Sequence, residues 1–227
     1  TPVELAVICT EAETVPDIIE SCGKHGVRAA VVLSAGFTEV GARGAALERT
    51  MLANAKNYGV RIIGPNCLGI IRTAMGLNAT FFKGSIKPGN LALVSQSGAL
   101  CTAILDWAAA NDIGFSSVVS MGAATDVDFG EILDYLASDE QTGSILIYVE
   151  GVRKARGFMS ALRAAARSKP VFVIKAGRHD AGSRAVMSHT GALVGSDDVF
   201  DAALRRAGVV RVESIGGLFS AAKSLAS

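Results

Sequence analysis

Residues 91–99 have the sequence LALVSQSGA, in which a short apolar run is followed at once by small polar residues. The run Leu91–Val94 predicts a strand, and the helical spacing that begins near Ala99 predicts a helix. Because the apolar run is continuous rather than alternating, we expect both faces of this strand to be covered. A buried strand that passes directly into a helix is typical of a parallel α/β sheet.

The same pattern recurs along the whole chain. Seven further runs predict strands: Leu5–Ile8, Ala30–Leu33, Arg61–Ile63, Ser117–Val119, Ile145–Val149, Val171–Ile174 and Val209–Val212. Seven segments have helical spacing: Val15–Cys22, Ala45–Asn57, Ala99–Ala109, Phe129–Ala137, Arg156–Arg167, Val199–Arg206 and Ile215–Leu225. Since parallel strands need helical crossovers, the alternation predicts a doubly wound α/β architecture with right-handed connections.

The alternation breaks at Thr73–Gly89, where glycine, proline and asparagine interrupt the periodicity. We therefore predict two domains, residues 1–75 and 90–227, joined by a linker at 76–89. The first domain has three predicted strands, too few for a complete sheet of this kind. We expect it to be truncated at its N-terminus, in a chain cut from a longer one. The second domain has five predicted strands.

Composition excludes several classes of protein. Half of the 227 residues are apolar, and 22 Lys and Arg against 21 Asp and Glu give a net charge of +1, which argues against disorder and against nucleic-acid binding. No apolar stretch approaches the roughly 20 residues of a membrane-spanning helix. The four cysteines lack metal-ligand spacing, so we expect no structural metal, no disulfide framework and a cytoplasmic protein.

Two turns that follow predicted strands are candidate sites. Ser95-Gln96-Ser97-Gly98 would place hydroxyls and free amides at a helix N-terminus, an arrangement that holds phosphate or carboxylate. The alternative is that Ser97 merely caps the helix. The second turn, Gly64-Pro65-Asn66-Cys67-Leu68-Gly69, follows Arg61–Ile63 at the sheet edge where α/β proteins bind ligands. The alternative is a plain turn, and a packed Cys67 is favoured over a reactive one.

The third candidate is the stretch Lys175–Gly195, about twenty mostly small and polar residues, because loops of this length in a compact domain are commonly functional. The alternative is a disordered surface loop. The stretch contains His189, whose imidazole could act as nucleophile or base if one ring nitrogen were held. Glu150, which follows Ile145–Val149, is the acid that we expect to hold it. Its alternative role is a helix-start acid that complements the dipole.

Two further signals are expected to be structural. The basic run Arg153–Lys169 indicates a solvated helix face. Asp128 with Glu131 three positions later predicts a helix capping box rather than a metal site.

Four motifs occur in the order GPNCLG at 64–69, SQSG at 95–98, YVEG at 148–151 and SHTG at 188–191. Together they resemble the NDP-forming acyl-CoA synthetases, a family that includes the alpha subunit of succinyl-CoA synthetase. The resemblance extends over nearly the whole chain. It implies a Rossmann-like CoA-binding domain, truncated here, followed by a flavodoxin-like domain.

The resemblance also implies roles for individual residues. His189 matches the histidine that takes a phosphoryl group from an acyl phosphate and passes it to a nucleoside diphosphate, and Glu150 matches the acid that orients it. Ser95, Gln96, Ser97 and Gly98 match the helix N-terminus that stabilises the phosphohistidine. The residues that match the acyl and CoA pocket are Gly64, Pro65, Asn66, Cys67 and Gly69. The implied ligands are coenzyme A and a small carboxylate, without a metal held by this chain.

Two departures from the family pattern limit what this chain would do alone. The strand and glycine-rich turn that open the family's CoA domain are missing, so we expect weak CoA binding. The family binds ATP or ADP with Mg²⁺ in an ATP-grasp domain or subunit, which we expect as a partner in an oligomer. An alternative function is an acyl-CoA-sensing region of a GNAT-type lysine acetyltransferase, although retention of His189 and Glu150 favours the enzyme.

Overall fold

A computed structural model describes residues 2–176 and 197–226 of the chain. In this part of the chain the strands are β1 (Leu5–Ile8), β2 (Ala29–Val32), β3 (Arg61–Ile63), β4 (Gly69–Arg72), β5 (Leu77–Thr80), β6 (Pro88–Ser95), β7 (Phe115–Ser120), β8 (Ser144–Val149), β9 (Val171–Lys175) and β10 (Val210–Arg211). The α-helices are α1 (Val15–Lys24), α2 (Ala42–Tyr58), α3 (Gly98–Ala110), α4 (Phe129–Ser138), α5 (Ala155–Ser168), α6 (Asp197–Ala207) and α7 (Ile215–Ala226). Single turns of 3-10 helix lie at Ala12–Thr14, Thr38–Val40 and Thr73–Met75. Each predicted strand and helix is present, which confirms the α/β fold class.

The first sheet contains β1, β2 and β3 in that order, all parallel. Its core combines Ile19 of α1 and Met51 of α2 with Val32 and Ile62 of the sheet, all of them fully buried. The apolar face of each helix thus covers the sheet, as the periodicity predicts. Gly26, which follows the end of α1, has φ +78°, and a Cβ added there would meet no atom within 4 Å.

The second sheet has seven strands in the order β10-β9-β8-β6-β7-β4-β5. Strands β6 to β10 are mutually parallel, and β6 lies near the centre. Ala92 and Val94 face a core formed with α4 and α5, whereas Leu91 and Leu93 face a core formed with α3 and α7. The continuous apolar run therefore reflects helices on both faces of the strand.

The segment Thr73–Gly89, where we predicted a linker, contains regular structure but no α-helix. It contains a 3-10 turn and the strand β5, which pairs antiparallel with β4. Strand β4 in turn pairs antiparallel with β7, so this hairpin extends the second sheet from five strands to seven. The division of the chain into domains at these boundaries stays a prediction.

An ion pair fixes the hairpin against the end of α4. Arg72 donates from Nη2 to Asp139 Oδ1 (2.6 Å) and from Nη1 to Asp139 Oδ2 (2.7 Å), with both side chains largely buried. Thr142 also donates to Asp139, at 2.6 Å. Burial opposes the charge of Asp139, but the hydrogen bonds from Arg72 and Thr142 outweigh it and hold the pKa of Asp139 below its ordinary value. Within the described ranges, no helix combines the length and apolar character needed to cross a bilayer.

Candidate functional site

Segments that follow five parallel strands meet at one cleft. Its volume is about 320 Å³, and its lining residues are Thr38 and Glu39 after β2, Asn66 after β3, Gln96 after β6, Gly122 and Ala123 after β7, and Glu150 after β8. Both sheets contribute to this lining, each from the carboxyl ends of its parallel strands. This is the edge at which open α/β sheets bind ligands.

The turn after β6 is built by its own serines. Ser97 begins α3 as its N-cap and accepts from Leu100 N at 3.3 Å, which confirms the predicted cap. The fully buried Ser95 hydroxyl accepts from Ser97 N and donates to Ser97 O, both at 3.0 Å. Because these bonds fix the turn, the first amides of α3 are held next to the cleft-lining Gln96. A helix N-terminus in this position is suited to an anion.

Glu150 comes directly after β8 and is 6% exposed, in the wall of the cleft. The sequence therefore located this acid correctly, at a strand end beside the turn that follows β6. Burial, followed by the nearby charge of Glu150, raises the pKa of Tyr148. The electrostatic influence of the carboxylate thus extends to the end of β8.

Gln96 has a role that the sequence did not indicate. Its side-chain Oε1 accepts from Glu150 N at 2.6 Å and from Gly151 N at 3.0 Å. Its own main-chain N donates to Tyr148 O at 3.3 Å. Gln96 therefore connects the end of β6 to the segment that carries Glu150.

The predicted acyl-pocket loop contributes Asn66 to the cleft. Asn66 has φ +56° and donates from its main-chain N to Ser34 O at 2.9 Å, so the loop is anchored to the segment after β2. Gly64 adopts φ +104° before Pro65, and a side chain there would overlap Val32 O, at 2.4 Å from the added Cβ. A glycine is thus required at this point of the turn.

Cys67 is packed rather than reactive. Its Sγ donates to Val32 O at 3.3 Å, and the residue is 4% exposed. Burial raises the pKa of Cys67 to about 12, so the thiolate is strongly disfavoured at neutral pH. A nucleophilic role for this thiol does not fit the geometry.

The two sheets are joined along a seam, formed by residues 61–68 and 120–127. Three main-chain bonds cross it: Ala123 N donates to Pro65 O (3.0 Å), Thr125 N to Gly64 O (3.3 Å) and Val127 N to Ile62 O (3.2 Å). Leu68 N also donates to Ser120 Oγ at 2.9 Å. Because Asn66 and Ala123 belong to both the seam and the cleft, the seam determines the width of the cleft.

Gly122 is the point of closest approach in the seam. It has φ +53°, and an added Cβ would lie 2.2 Å from Pro65 O and 2.4 Å from Asn66 O. No other residue type fits between these two main chains without displacing one of them.

A charged network continues the seam to the start of α4. Arg61 pairs with Asp126 (3.0 Å) and with Glu131 (2.7 Å). Glu131 also accepts from Asp128 N, and Asp128 accepts from Gly130 N and Glu131 N. The predicted capping box of Asp128 and Glu131 is therefore confirmed, and it takes part in joining the two sheets.

Thr38 and Glu39 are cleft residues that the sequence reasoning missed. Glu39 accepts from Gly36 N at 2.7 Å, and Thr38 donates to the buried Glu48 at 3.2 Å. Arg153, from the segment after β8, lies 3.9 Å from Glu48. Burial raises the pKa of Glu48 despite Arg153 and Thr38, which lower it.

The basic run Arg153–Lys169 is confirmed as a largely solvated helix face, because Arg156, Arg163 and Arg167 are all exposed on α5. The third predicted site, Lys175–Gly195, falls mostly outside the described residues, and so does His189. Its first residue, Lys175, ends β9 and is 5% exposed, 3.9 Å from Asp197. Burial lowers the pKa of Lys175. Among residues 2–176 and 197–226, no cluster of three or more His, Cys, Asp or Glu side chains is placed to hold a metal ion.

Comparison with known families decides what kind of protein carries this cleft. Residues 88–225 match the succinyl-CoA ligase like flavodoxin domain, and residues 1–73 match a CoA binding domain. The chain belongs to the NDP-forming acyl-CoA synthetase family. This confirms the resemblance to these synthetases that the four sequence motifs indicated.

Named relatives agree with the family. The chain is 47% identical to acetate–CoA ligase [ADP-forming] I of Archaeoglobus fulgidus, over 96% of this chain and 32% of that protein. It is 44% identical to acetate–CoA ligase [ADP-forming] I subunit alpha of Pyrococcus furiosus, over 99% of this chain and 49% of that subunit. The chain thus spans between about a third and a half of the length of these relatives.

A solved structure has the same fold. The dinucleotide forming acetyl-coenzyme A synthetase 1 of Ca. Korarchaeum cryptofilum, in complex with phosphate and ADP, superposes with a TM-score of 0.95 at 38% identity. The match covers 100% of this chain and 49% of that one.

Proposed function

We propose that this chain is the part of an NDP-forming acyl-CoA synthetase that forms an acyl phosphate and carries the phosphohistidine. The observation that supports the proposal most directly is the cleft itself, where Glu150, Gln96 beside the N-terminus of α3, and Asn66 come together. These residues belong to three of the four motifs on which the family resemblance was drawn.

The proposed reaction has three steps. Phosphate oxygen attacks the thioester carbonyl of an acyl-CoA, the carbon–sulfur bond breaks, and CoA leaves as the thiol with an acyl phosphate as the second product. A ring nitrogen of His189 then attacks phosphorus, which releases the carboxylate and leaves a phosphohistidine. Finally, a terminal phosphate oxygen of a nucleoside diphosphate attacks the phosphohistidine, giving a nucleoside triphosphate and free His189.

Glu150 and the turn after β6 have complementary roles in this proposal. A carboxylate that accepts a hydrogen bond from one imidazole nitrogen leaves the other nitrogen with its lone pair free to attack. The charged residues that line the cleft in the described part of the chain, Glu39 and Glu150, are both acidic. The phosphoryl group would therefore be stabilised by main-chain amides at the start of α3, with Ser95 and Ser97 holding that turn in place.

Coenzyme A would bind at the carboxyl ends of β1 and β2. A groove of about 860 Å³ lies there, and Gly36, Val40 and Arg43 are among the residues that line it. Arg43 is exposed and pairs with Glu13 at 2.9 Å, so its guanidinium would exchange this carboxylate for a phosphate of CoA at the surface.

We assign the nucleotide and its Mg²⁺ to an ATP-grasp domain or subunit that acts with this chain in an oligomer. One relative is named as a subunit alpha, which supports the existence of a partner subunit. The acyl group would be that of a small carboxylic acid.

The proposal is tested by phosphorylating the enzyme, assembled with its partner, with radiolabelled ATP and Mg²⁺. We expect a label that is acid-labile and base-stable, as a phosphohistidine is, and we expect His189→Ala to abolish it. His25→Asn is the matched control, because His25 is bonded to Ser21 O at the end of α1, away from the cleft. Glu150→Gln should slow labelling without unfolding the protein.

Each outcome has a distinct meaning. Label that survives His189→Ala would remove His189 from its proposed role. A folded, CoA-binding enzyme that takes up no label would favour the acyl-CoA-sensing alternative.

A further inference from the structure

Gln96 lies outside the helices and strands, yet it makes three hydrogen bonds to the main chain of residues 148–151. Its Oε1 accepts two consecutive main-chain amides, Glu150 N at 2.6 Å and Gly151 N at 3.0 Å, while its own amide donates to Tyr148 O. The three bonds hold the chain on both sides of the Glu150 side chain. The direction in which Glu150 leaves the main chain is therefore tied to Gln96.

In the described part of the chain, both amides lie beyond the paired part of β8. The pairing of β8 with β9 ends at Val149 and Lys175, one residue before Glu150. Both Glu150 and Gly151 are buried, and a buried N–H without an acceptor is strongly disfavoured. Loss of the Gln96 carbonyl would remove the acceptor that these two buried amides share, and with it the link between segment 150–151 and the end of β6.

We propose that Gln96 is a positioning residue, which holds the Glu150 carboxylate at a fixed position relative to the N-terminus of α3. The inference deepens the proposed function and rests on it, because it assigns how the orienting acid is itself oriented. Gln96 is suited to the task because it lies between the two features: β6 ends one residue before it and the N-cap of α3, Ser97, follows it. One side chain therefore connects the acid that would orient the histidine with the amides that would hold the phosphoryl group.

A neutral acceptor suits this position better than a charged side chain does. Arginine and lysine have no acceptor atom for the two amides. Glutamate would accept both, but it would place a second carboxylate beside Glu150 and a negative charge next to the proposed phosphoryl site. An amide accepts the same bonds without adding charge to the site. Gln96 thus meets the requirements of geometry and charge together.

The test compares two variants of the assembled enzyme, Gln96→Met and Gln96→Glu, with Gln141→Met as the matched control. Gln141 lies in the exposed turn after α4. The measurement is the rate of acid-labile labelling by radiolabelled ATP as a function of pH, beside the KM for CoA. We expect Gln96→Met to reduce the labelling rate by roughly 10- to 100-fold, because an error of about 1 Å in a reacting group has effects of this size. The KM for CoA and the behaviour of Gln141→Met should not change.

Gln96→Glu separates positioning from a merely structural role. It keeps the acceptor, so labelling should recover to within about tenfold of the wild type. The acidic limb of its pH–rate profile should move to higher pH, since two neighbouring carboxylates ionise less readily than one. If Gln96 served only to stabilise the fold, folded Gln96→Met protein would label at the wild-type rate.

Several results would overturn the inference. If the wild type is labelled and Gln96→Met labels within twofold of it, the inference fails while the proposed function stands. If the wild type itself takes up no label, the proposed function fails and the inference fails with it. Should Gln96→Met not fold, an unmoved acidic limb in Gln96→Glu is sufficient to refute the role.

Discussion

Gly122 is the position where one added methyl group tests how the cleft is held together. In Gly122→Ala the new Cβ would lie 2.2 Å from Pro65 O. Contacts shorter than 3.0 Å are essentially never adopted by a Cβ, so the two sides of the seam would have to separate by at least about 0.8 Å. Since Ala123 and Asn66 line the cleft on opposite sides of this contact, the cleft would widen by a similar distance.

The expected loss of folding stability in Gly122→Ala has two parts. The left-handed conformation at φ +53° costs an alanine about 1 kcal/mol. Forcing apart a packed contact adds roughly 1–3 kcal/mol. The displacement is also close to the 1 Å error that reduces catalytic rates by about 100-fold. Gly122→Ala should therefore lose both stability and most of its activity.

Gly26→Ala is the control that separates these effects. Gly26 also has positive φ, at +78°, but an added Cβ would meet nothing within 4 Å. It should lower the melting temperature by about 2–4 °C, the value expected for about 1 kcal/mol in a chain of this size, and leave activity unchanged. Calorimetry and the rate of histidine labelling in the assembled enzyme measure both quantities. If Gly122→Ala matched Gly26→Ala in both measurements, the seam could not be what determines the geometry of the cleft.

Three further predictions concern burial and charge. Burial raises the pKa of Cys67 to about 12, so iodoacetamide at about pH 8 should modify the exposed Cys9 and spare Cys67 in the native protein, and equal labelling by mass spectrometry would contradict this. Burial also raises the pKa of Glu48, so ionisation of this carboxyl opposes folding. Glu48→Gln should therefore raise the melting temperature at pH 7. This gain should vanish below about pH 4, where Glu48 is protonated in the folded and the unfolded protein alike. Arg72→Met leaves Asp139 buried without its cation and should cost about 3 kcal/mol in urea unfolding at pH 7. The pKa of Asp139 is held low, so this loss should shrink as the pH falls below about 4, and a loss independent of pH would argue against the ion pair as its cause.

The hairpin of β4 and β5 is the part of the fold that the sequence did not predict. Residues 69–72 contain two isoleucines between Gly69 and Arg72, a run too short to stand out from a loop. Gly69 has φ +116°, and an added Cβ would lie 2.1 Å from Ala79 O in the partner strand, so the pairing of β4 with β5 requires a glycine there. The pairing that makes β4 a strand comes from β7, more than forty residues away. No local pattern records such a contact.

The site could be predicted where its residues directly follow apolar runs. The turn that contains Ser97 was found in this way, and so was Glu150. Thr38 and Glu39 begin six residues after β2 ends, so the rule did not include them. Gln96 was quoted for its place in a motif, but its bonds reach amides 54 and 55 residues further along the chain. A long-range acceptor of this kind leaves no signature in the neighbouring sequence.

The strand order of the second sheet has a consequence for how such proteins could be recombined. The match to the CoA binding domain ends at residue 73, whereas β4, at Gly69–Arg72, is already part of the larger sheet. A gene exchange with its breakpoint between the two family matches would therefore separate β4 from β7 and leave an unpaired strand edge that is prone to aggregation. A breakpoint before Gly69 would keep the hairpin with the sheet that it completes. The unit inherited as a whole is thus longer than the domain recognised from sequence.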